Sequence, residues 1–394
     1  MITQRYLHHI IEADLQEKMV FIGGPRQVGK TTLAKLIGSQ EYKNVQYLNW
    51  DSPADRKLIL DGRFDANAGL LIFDELHKYR QWKNHLKGIF DTHWERLHIL
   101  VTGSARLDLY RRGGDSLLGR YHYFRLHPFS VAELFGKAPH APQPFSELQF
   151  DEASQPKLRE HFDALLHFGG FPEPLFRQDE RTLRRWHNER IDRLIKEDIR
   201  DVELVRDISA LQVLSEVLPL RVASKLSLNA LREDLQVAHK TIASWVDILE
   251  RFYYHFRIYP YASKRFAALR KEAKLYLWDW SQVGDAGAKL ENMVASHLLK
   301  FTHFLHDAEG YKAELWYIGD VEGREVDFLV TLDGKPWFAV EVKLSDGTPS
   351  KHLHYFAGKL RIPFLYQVVG DMDIDVIQAN IRIISADRFL SGLI

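Results

Sequence analysis

The residues with the most definite chemistry run Gly24-Pro25-Arg26-Gln27-Val28-Gly29-Lys30-Thr31-Thr32. Their spacing is G-x-x-x-x-G-K-[ST], preceded by the apolar run MVFI and followed by a helical pattern. Glycines at those points let the backbone curl so that successive N–H groups face an anion. A helix starting near Lys30 adds its positive end. Lys30 is long enough to reach β- and γ-phosphates, and the Thr31 hydroxyl can ligate Mg²⁺. A chance glycine turn would not also fall between a strand and a helix. The expectation is a nucleoside-triphosphate site that works with Mg²⁺.

A second element supports it. Leu70-Leu-Ile-Phe-Asp74-Glu75 is an apolar strand whose end presents Asp74 to the metal and Glu75 to an attacking water. A third apolar run ends Val101-Thr102-Gly103-Ser104, so Thr102 and Ser104 are candidates to sense the γ-phosphate. A strand closed by a small polar turn reads equally well for either residue alone. Several arginines follow, and Arg120 is taken as a candidate finger for transition-state charge, in cis or from a neighbouring subunit. The competing reading is a surface arginine paired with a nearby acid.

The third stretch is EVDFLVTLDGKPWFAVEVK, Glu325 to Lys343. Alternation puts Val326, Phe328, Val330 and Leu332 on one strand face, with Phe338, Val340 and Val342 on the matching face of the next strand. The other face carries Glu325, Asp327 and Thr331 against Trp337, Glu341 and Lys343. If Asp333-Gly334-Lys335 is a three-residue turn, Asp327 lies opposite Glu341; a two-residue turn separates them onto opposite faces. In the first register two carboxylates can hold a divalent cation, with Lys343 beside them to orient water, and Glu291 on a preceding helix is a third acid. The plain alternative is a solvated hairpin face.

These residues need elements to hold them. Apolar runs at 45–49, 69–73 and 97–101 alternate with helical stretches, the pattern of a parallel sheet covered by helices. Three prolines within 136–147 mark a loop or domain edge, and residues 155–217 read as charged helices interrupted by GGFPEP at 169–174. The arginines near 181–193 alternate with acids, as on a solvated helix face. Residues 228–249 read helix, tight turn, helix, with His239, Lys240, Thr241 and Ser244 at the exposed start of the second helix, where a helix-turn-helix would meet duplex DNA. From 285 the order is helix, three strands, helix, strand. Lysine plus arginine equal aspartate plus glutamate at 53 each, so net charge gives no sign of nucleic-acid binding. Cysteine is absent, which removes disulfides and thiolate chemistry. No segment reads as a signal peptide or membrane span, so a cytoplasmic protein without a membrane partner is the default.

GPRQVGKTTL, LLIFDELHKYRQWK and VTGSARLDLYRRGGDSLLGRY together resemble the AAA+ ATPases of bacteria and archaea that carry a C-terminal domain of unknown function. GGFPEP, WHNERIDRLIKEDI, AKLYLWDWSQV and GREVDF…AVEVK resemble the rest of that family. The resemblance implies an α/β chain: a P-loop AAA+ parallel sheet with helices on both faces over 1–145, a helical lid or linker over 146–217, a winged-helix-like module over 218–262, and a restriction-endonuclease-like (PD-(D/E)xK) α/β domain over 263–394. It implies ATP rather than GTP, with Lys30, Thr31, Asp74 and Glu75 in the ATPase roles. The expected function is an Mg²⁺-dependent ATPase whose nucleotide state controls a nuclease-like domain, with duplex DNA as candidate partner and self-association through the Arg120 finger. The alternative is a signal-transducing NTPase whose later modules bind a partner without cutting it.

Overall fold

The computed structural model describes residues 4–93, 96–103, 117–150, 155–199, 207–262 and 272–394. They pack as two compact units that divide between His127 and Pro128. The sequence reading set the edge of the core at 145 and cut the remainder into three.

In the first unit, helix α1 (His8–Leu15) precedes strand β1 (Met19–Gly23), the phosphate-loop segment and helix α2 (Lys30–Glu41). Then come β2 (Val45–Asn49), α3 (Pro53–Asp61), β3 (Leu70–Asp74), α4 (Trp82–His93), β4 (His98–Thr102) and β5 (Tyr121–Arg125). The five strands are parallel, in the order β2-β3-β4-β1-β5. Strands β1 and β3 are buried along their whole length, as central strands of a covered parallel sheet should be. Phe21, Leu71, Phe73, Ile99 and Val101 pack with Trp82 and Leu86 of α4 in one core. The consequence for chemistry is the strand order. Strand β4 lies between β1 and β3, so Thr102 has Ile22 on one side and Asp74 on the other.

The second unit begins with a capping box at Ser130 and Glu133 and continues through helices Pro156–Phe168, Pro172–Arg177 and Glu180–Arg193. Gly169 ends the first of these at φ +76, and a Cβ there would lie 2.7 Å from Asp279 Oδ1. Asp279 is fully buried. It accepts from Trp186 Nε1 at 2.9 Å and Ser281 Oγ at 2.6 Å, and Arg190 lies 3.4 Å away. Three stretches matched by resemblance, GGFPEP, WHNER and WDWS, therefore close on one carboxylate. Of the arginines on Glu180–Arg193, Arg184 and Arg193 make i,i+4 pairs with Glu180 and Glu189, while Arg190 turns inward.

Helices Ile208–Val217, Leu228–Leu235 and His239–Arg251 lead into antiparallel strands β6 (His255–Ile258) and β7 (Lys274–Leu277). Helix Ala286–Asp307 follows, then a six-stranded mixed sheet of β8 (Ala313–Gly319), β9 (Glu325–Leu332), β10 (Lys335–Lys343), β11 (Phe364–Val369), β12 (Asp375–Gln378) and β13 (Ile381–Ser385). Its order is β12-β13-β11-β10-β9-β8. Strands β8 to β10 form an antiparallel meander, and β11 joins β10 in parallel after helix Lys351–Leu360. The expected order of helix, three strands, helix, strand is present, and β12, β13 and helix Ala386–Ser391 extend it. Both sheet faces are covered. Leu329 and Ala339, on the face that alternation marks as wet, are fully buried because Leu353 and Phe356 of helix Lys351–Leu360 pack over that face, and Thr331 is buried with Trp316 Nε1 donating to its hydroxyl at 3.0 Å. Among the described residues no helix is long and apolar enough to cross a membrane.

Candidate functional site: a phosphate loop and a carboxylate cluster

Gly24 leaves β1 at φ +136, and a Cβ there would stand 2.4 Å from the Leu126 carbonyl oxygen. Gln27 (φ 60) and Gly29 (φ 101) are also left-handed, which is how the chain curls back to start α2 at Lys30. The Lys30 ammonium is buried and donates to the Gly24 and Pro25 carbonyls at 3.0 and 2.7 Å. It thus lies over the loop, where a phosphate chain would compete for it. The first N–H groups of α2 have no acceptor within the helix and point into the same region.

Asp74 ends β3 and is the hub of the site. The Thr31 hydroxyl donates to its Oδ2 at 2.9 Å, Tyr47 OH donates to the same oxygen at 2.7 Å, and Thr102 Oγ1 donates to Oδ1. A hydroxyl and a carboxylate 2.9 Å apart are a hard-oxygen donor pair of the kind Mg²⁺ takes with several waters, so these residues fit the ion. Glu75 follows at φ 57, a turn that separates its side chain from that of Asp74. It lies 3.4 Å from Lys78 Nζ and 3.6 Å from His77 Nε2. Burial pushes the Glu75 carboxyl above its ordinary range, against the pull of Lys78 and Lys30.

The structure brings together Gly24 to Thr31, Asp74, Glu75 and Thr102; Thr32 is exposed on the first turn of α2. Ser104 lies outside the described residues. Arg120 needs a correction. Strand β5 runs parallel to β1 with Tyr121 beside Met19 and Arg125 beside Gly23, so Arg120 is at the far end of the sheet, roughly 16 Å along the strand from the loop. There it forms a two-point ion pair with Asp91, at 2.6 and 3.1 Å. The surface-pair reading holds within its own chain, and a finger in cis does not.

At the phosphate loop two residues escaped sequence reasoning. Tyr47 lay in an apolar run, and only the pairing of β2 with β3 shows that its ring reaches Asp74. Arg5 is buried and donates to the Val28 carbonyl at 2.9 Å and to the His127 carbonyl. It ties the phosphate loop to the segment that leaves β5. No motif marks it.

The C-terminal hairpin resolves the register question in an unexpected way. Leu332 pairs with Lys335, so the turn is the two-residue Asp333-Gly334, both with positive φ. A bulge at Trp337 then inserts one residue, and Ala339 pairs with Leu329 and Val340 with Phe328. The bulge restores the facing of Asp327 and Glu341 that a two-residue turn alone would abolish. The Asp327 Oδ2 accepts from the Val342 N–H at 2.9 Å, which fixes the two strands together at that end.

What the acids do there differs from the sequence expectation. Lys274 of β7, 3% exposed, places its Nζ 2.7 Å from Glu325, 3.2 Å from Glu291 and 3.2 Å from Asp327. Tyr276 OH donates to the same Glu291 oxygen at 2.7 Å. Glu341 gives one oxygen to Lys343 at 2.8 Å, and its buried Oε2 accepts no hydrogen bond from the described residues. Glu291, Asp327 and Glu341 do not form a trio with oxygens within 4.8 Å of one another; among the described residues that spacing occurs at His8, His9 and Glu12. Burial and then the Asp327 charge push both Glu291 and Glu341 above the ordinary carboxyl range. Burial would lower Lys343, but Glu341 and Asp327 outweigh it and hold the ammonium protonated, so it is no ready base. Gln367 is fully engaged with Ser350, Asp346 and Thr348, holding the start of a helix.

The strand order and the loop geometry define a P-loop NTPase domain of AAA type, and residues 16–135 match the AAA domain family. Residues 159–286 and 286–389 match two domains of unknown function, DUF8612 and DUF4143. Over most of its length the chain is similar to the uncharacterized protein MJ1544 of Methanocaldococcus jannaschii, at 22% identity over 95% of this chain and 85% of that one. An uncharacterized protein of Haemophilus influenzae is 24% identical over 83% and 82% of the two chains. Among solved structures, the Thermotoga maritima RuvB Holliday junction branch migration motor aligns at 18% identity with a TM-score of 0.30, over 68% of this chain and 93% of that one. Bacteroides Pif1 bound to ssDNA aligns at 14% identity and a TM-score of 0.23, over 42% and 50%. At such TM-scores the likeness adds nothing to the argument from strand order.

Proposed function

We propose that this chain is an Mg²⁺-dependent ATPase whose nucleotide state governs the behaviour of residues 128–394, and that the C-terminal sheet binds its partner without cutting it. The observation that carries the first half is the convergence of Thr31, Tyr47 and Thr102 on Asp74 beside a lysine-capped glycine loop. Lys30 and the first turn of α2 bind the phosphates, Thr31 and Asp74 hold the ion, and Glu75 takes the proton of the attacking water. The ion, when bound, offsets charge on the phosphate oxygens.

Coupling has a route in the first unit itself. The Leu126 N–H donates to the Gly23 carbonyl at 2.9 Å, its own carbonyl presses on Gly24, and Arg5 joins Val28 to His127. Any change in the loop reaches the chain just before it enters the second unit. Duplex DNA is the partner class favoured by helices Leu228–Leu235 and His239–Arg251 followed by a strand pair, a winged-helix-like order. His239, Lys240 and Ser244 are exposed at the start of the second helix, and Thr241 is half-buried beside them. Arg120 acts, in this reading, only if a neighbouring subunit supplies it.

Hydrogen exchange of residues 128–394 in Glu75→Gln tests the coupling. Distinct protection with ATP, ADP and no nucleotide is expected, and identical exchange in all three states would end the switch reading. Supercoiled plasmid with Mg²⁺ and ATP should stay intact; nicking that disappears in Glu341→Ala would restore the nuclease.

A further inference from the structure

The C-terminal acids sit where the β9–β10 hairpin, the start of helix Ala286–Asp307 and strand β7 meet. Four carboxylates gather there: Glu291, Glu325, Asp327 and Glu341. Three ammonium groups answer them. Lys343 takes Glu341, Lys225 takes Glu325 Oε2 at 3.0 Å, and Lys274 is shared by Glu291, Glu325 and Asp327. Lys274 is the buried one. Its separations of 2.7–3.2 Å suit N–H···O bonds, whereas Mg²⁺ needs about 2.1 Å and Ca²⁺ about 2.4 Å to each oxygen. Around it the oxygens are spread for an ammonium.

We propose that Lys274 is the resident cation of this cluster, that it keeps the C-terminal site free of divalent metal in the native chain, and that replacing it with an uncharged residue converts the cluster into a divalent-cation site. Two observations besides the ion pairs point this way. Lys274 comes from β7, in the stretch matched as DUF8612, while Glu291, Glu325 and Asp327 belong to the stretch matched as DUF4143. The cation is thus delivered to the sheet by a neighbouring module. And Glu341, opposite Asp327 in the hairpin register and with a side chain only 7% exposed, has a buried Oε2 that accepts no hydrogen bond from the described residues, as expected of a carboxylate oxygen whose cation has been placed elsewhere. A buried ammonium that was lost without replacement would leave several carboxylates uncompensated, which is strongly destabilising. The carboxylates would then recruit what cation they can.

The inference rests on the reading that this sheet does not cut, and its test is separate from the plasmid assay. Full-length wild type, Lys274→Gln, Lys274→Met and each of these with Asp327→Asn are titrated with Mn²⁺ in the absence of nucleotide, free Mn²⁺ being followed by electron paramagnetic resonance. Only binding removed by Asp327→Asn is counted, which sets aside His8, His9 and Glu12. Wild type is expected to show none, and the Lys274 variants one site per chain. Their melting temperatures should fall in EDTA and recover with Mn²⁺, while that of wild type is unmoved. Asp327-dependent Mn²⁺ binding by wild type overturns the proposal. So does a folded Lys274 variant that gains no site, or unfolded variants that Mn²⁺ fails to restore. Intact plasmid combined with any of these results would retire Lys274 and leave the non-cutting reading standing.

Discussion

Asp279→Ala should unfold the second unit at a markedly lower temperature. The Asp279 carboxylate is fully buried, and its partner Arg190 keeps only 11% of its side chain exposed. Burial pushes the Asp279 carboxyl upward, but Arg190, His187 and the bonds from Ser281 and Trp186 outweigh it and hold the group below its ordinary value. Removing one partner of such a pair leaves a buried charge unmatched, at a cost of about 3–5 kcal/mol. The Trp186 and Ser281 donors lose their acceptor too, but water entering the vacated space offsets part of that. At about 2–4 °C per kcal/mol for a unit of this size, the transition should move down by about 6–20 °C. Differential scanning calorimetry reads it directly. Arg190→Met added to Asp279→Ala should recover part of the loss, because the orphaned charge goes with it; a coupling of about 0.5–3 kcal/mol is expected. Nucleotide affinity below the transition should be unchanged. A shift under a degree, or two losses that simply add, would refute the reading that the Asp279–Arg190 pair, on which GGFPEP, WHNER and WDWS close, holds the second unit together.

Four other outcomes follow from the same geometry. Burial lowers His255 to about 4 and His297 to about 3, so the unfolded chain takes up protons near pH 6.5 that the fold refuses. Stability is full above that pH and falls by about 1.4 kcal/mol per unit per histidine as pH drops toward 4; urea midpoints equal at pH 7.5 and 5 would contradict it. Gly24→Ala should abolish nucleotide binding, since the new methyl meets the Leu126 carbonyl at 2.4 Å; fluorescent-nucleotide titration of the folded variant checks this. Arg5→Ala should weaken nucleotide binding by about tenfold or more, through loss of a charged bond to the loop carbonyl worth about 1.5–3 kcal/mol, and calorimetry giving an unchanged Kd would exclude the tie. The acid limb of ATP turnover should lie above the ordinary glutamate range, because burial raises Glu75 and the deprotonated form is the base; a limb at 4.5 or lower would exclude it.

Much of this was legible in the sequence. The loop motif and the apolar runs located β1, β3 and β4 to within a residue, because buried parallel strands carry their signal in composition alone. The order of elements after 285 was readable too, because the hairpin strands alternate and helical runs flank them. The turn and bulge were not. Asp333-Gly334 forms a two-residue turn and Trp337 inserts the extra residue, two features whose effects on facing cancel. The facing of Asp327 and Glu341 was therefore anticipated by the wrong route. Lys274, Tyr47 and Arg5 were invisible because each acts on a partner far along the chain, and a lone residue in an apolar run carries no periodic mark. Arg120 failed through direction: a motif-like position says nothing about which end of a parallel strand it occupies.

The central claim is tested most directly by steady-state ATP hydrolysis with Mg²⁺ in wild type, Lys30→Ala and Glu75→Gln, with nucleotide binding measured on the same samples. Wild type should turn over ATP and stop in EDTA. Lys30→Ala should lose both binding and turnover. Glu75→Gln should bind as wild type and turn over about 10²–10⁴-fold more slowly. Turnover in Lys30→Ala and Glu75→Gln equal to that of wild type would contradict the account.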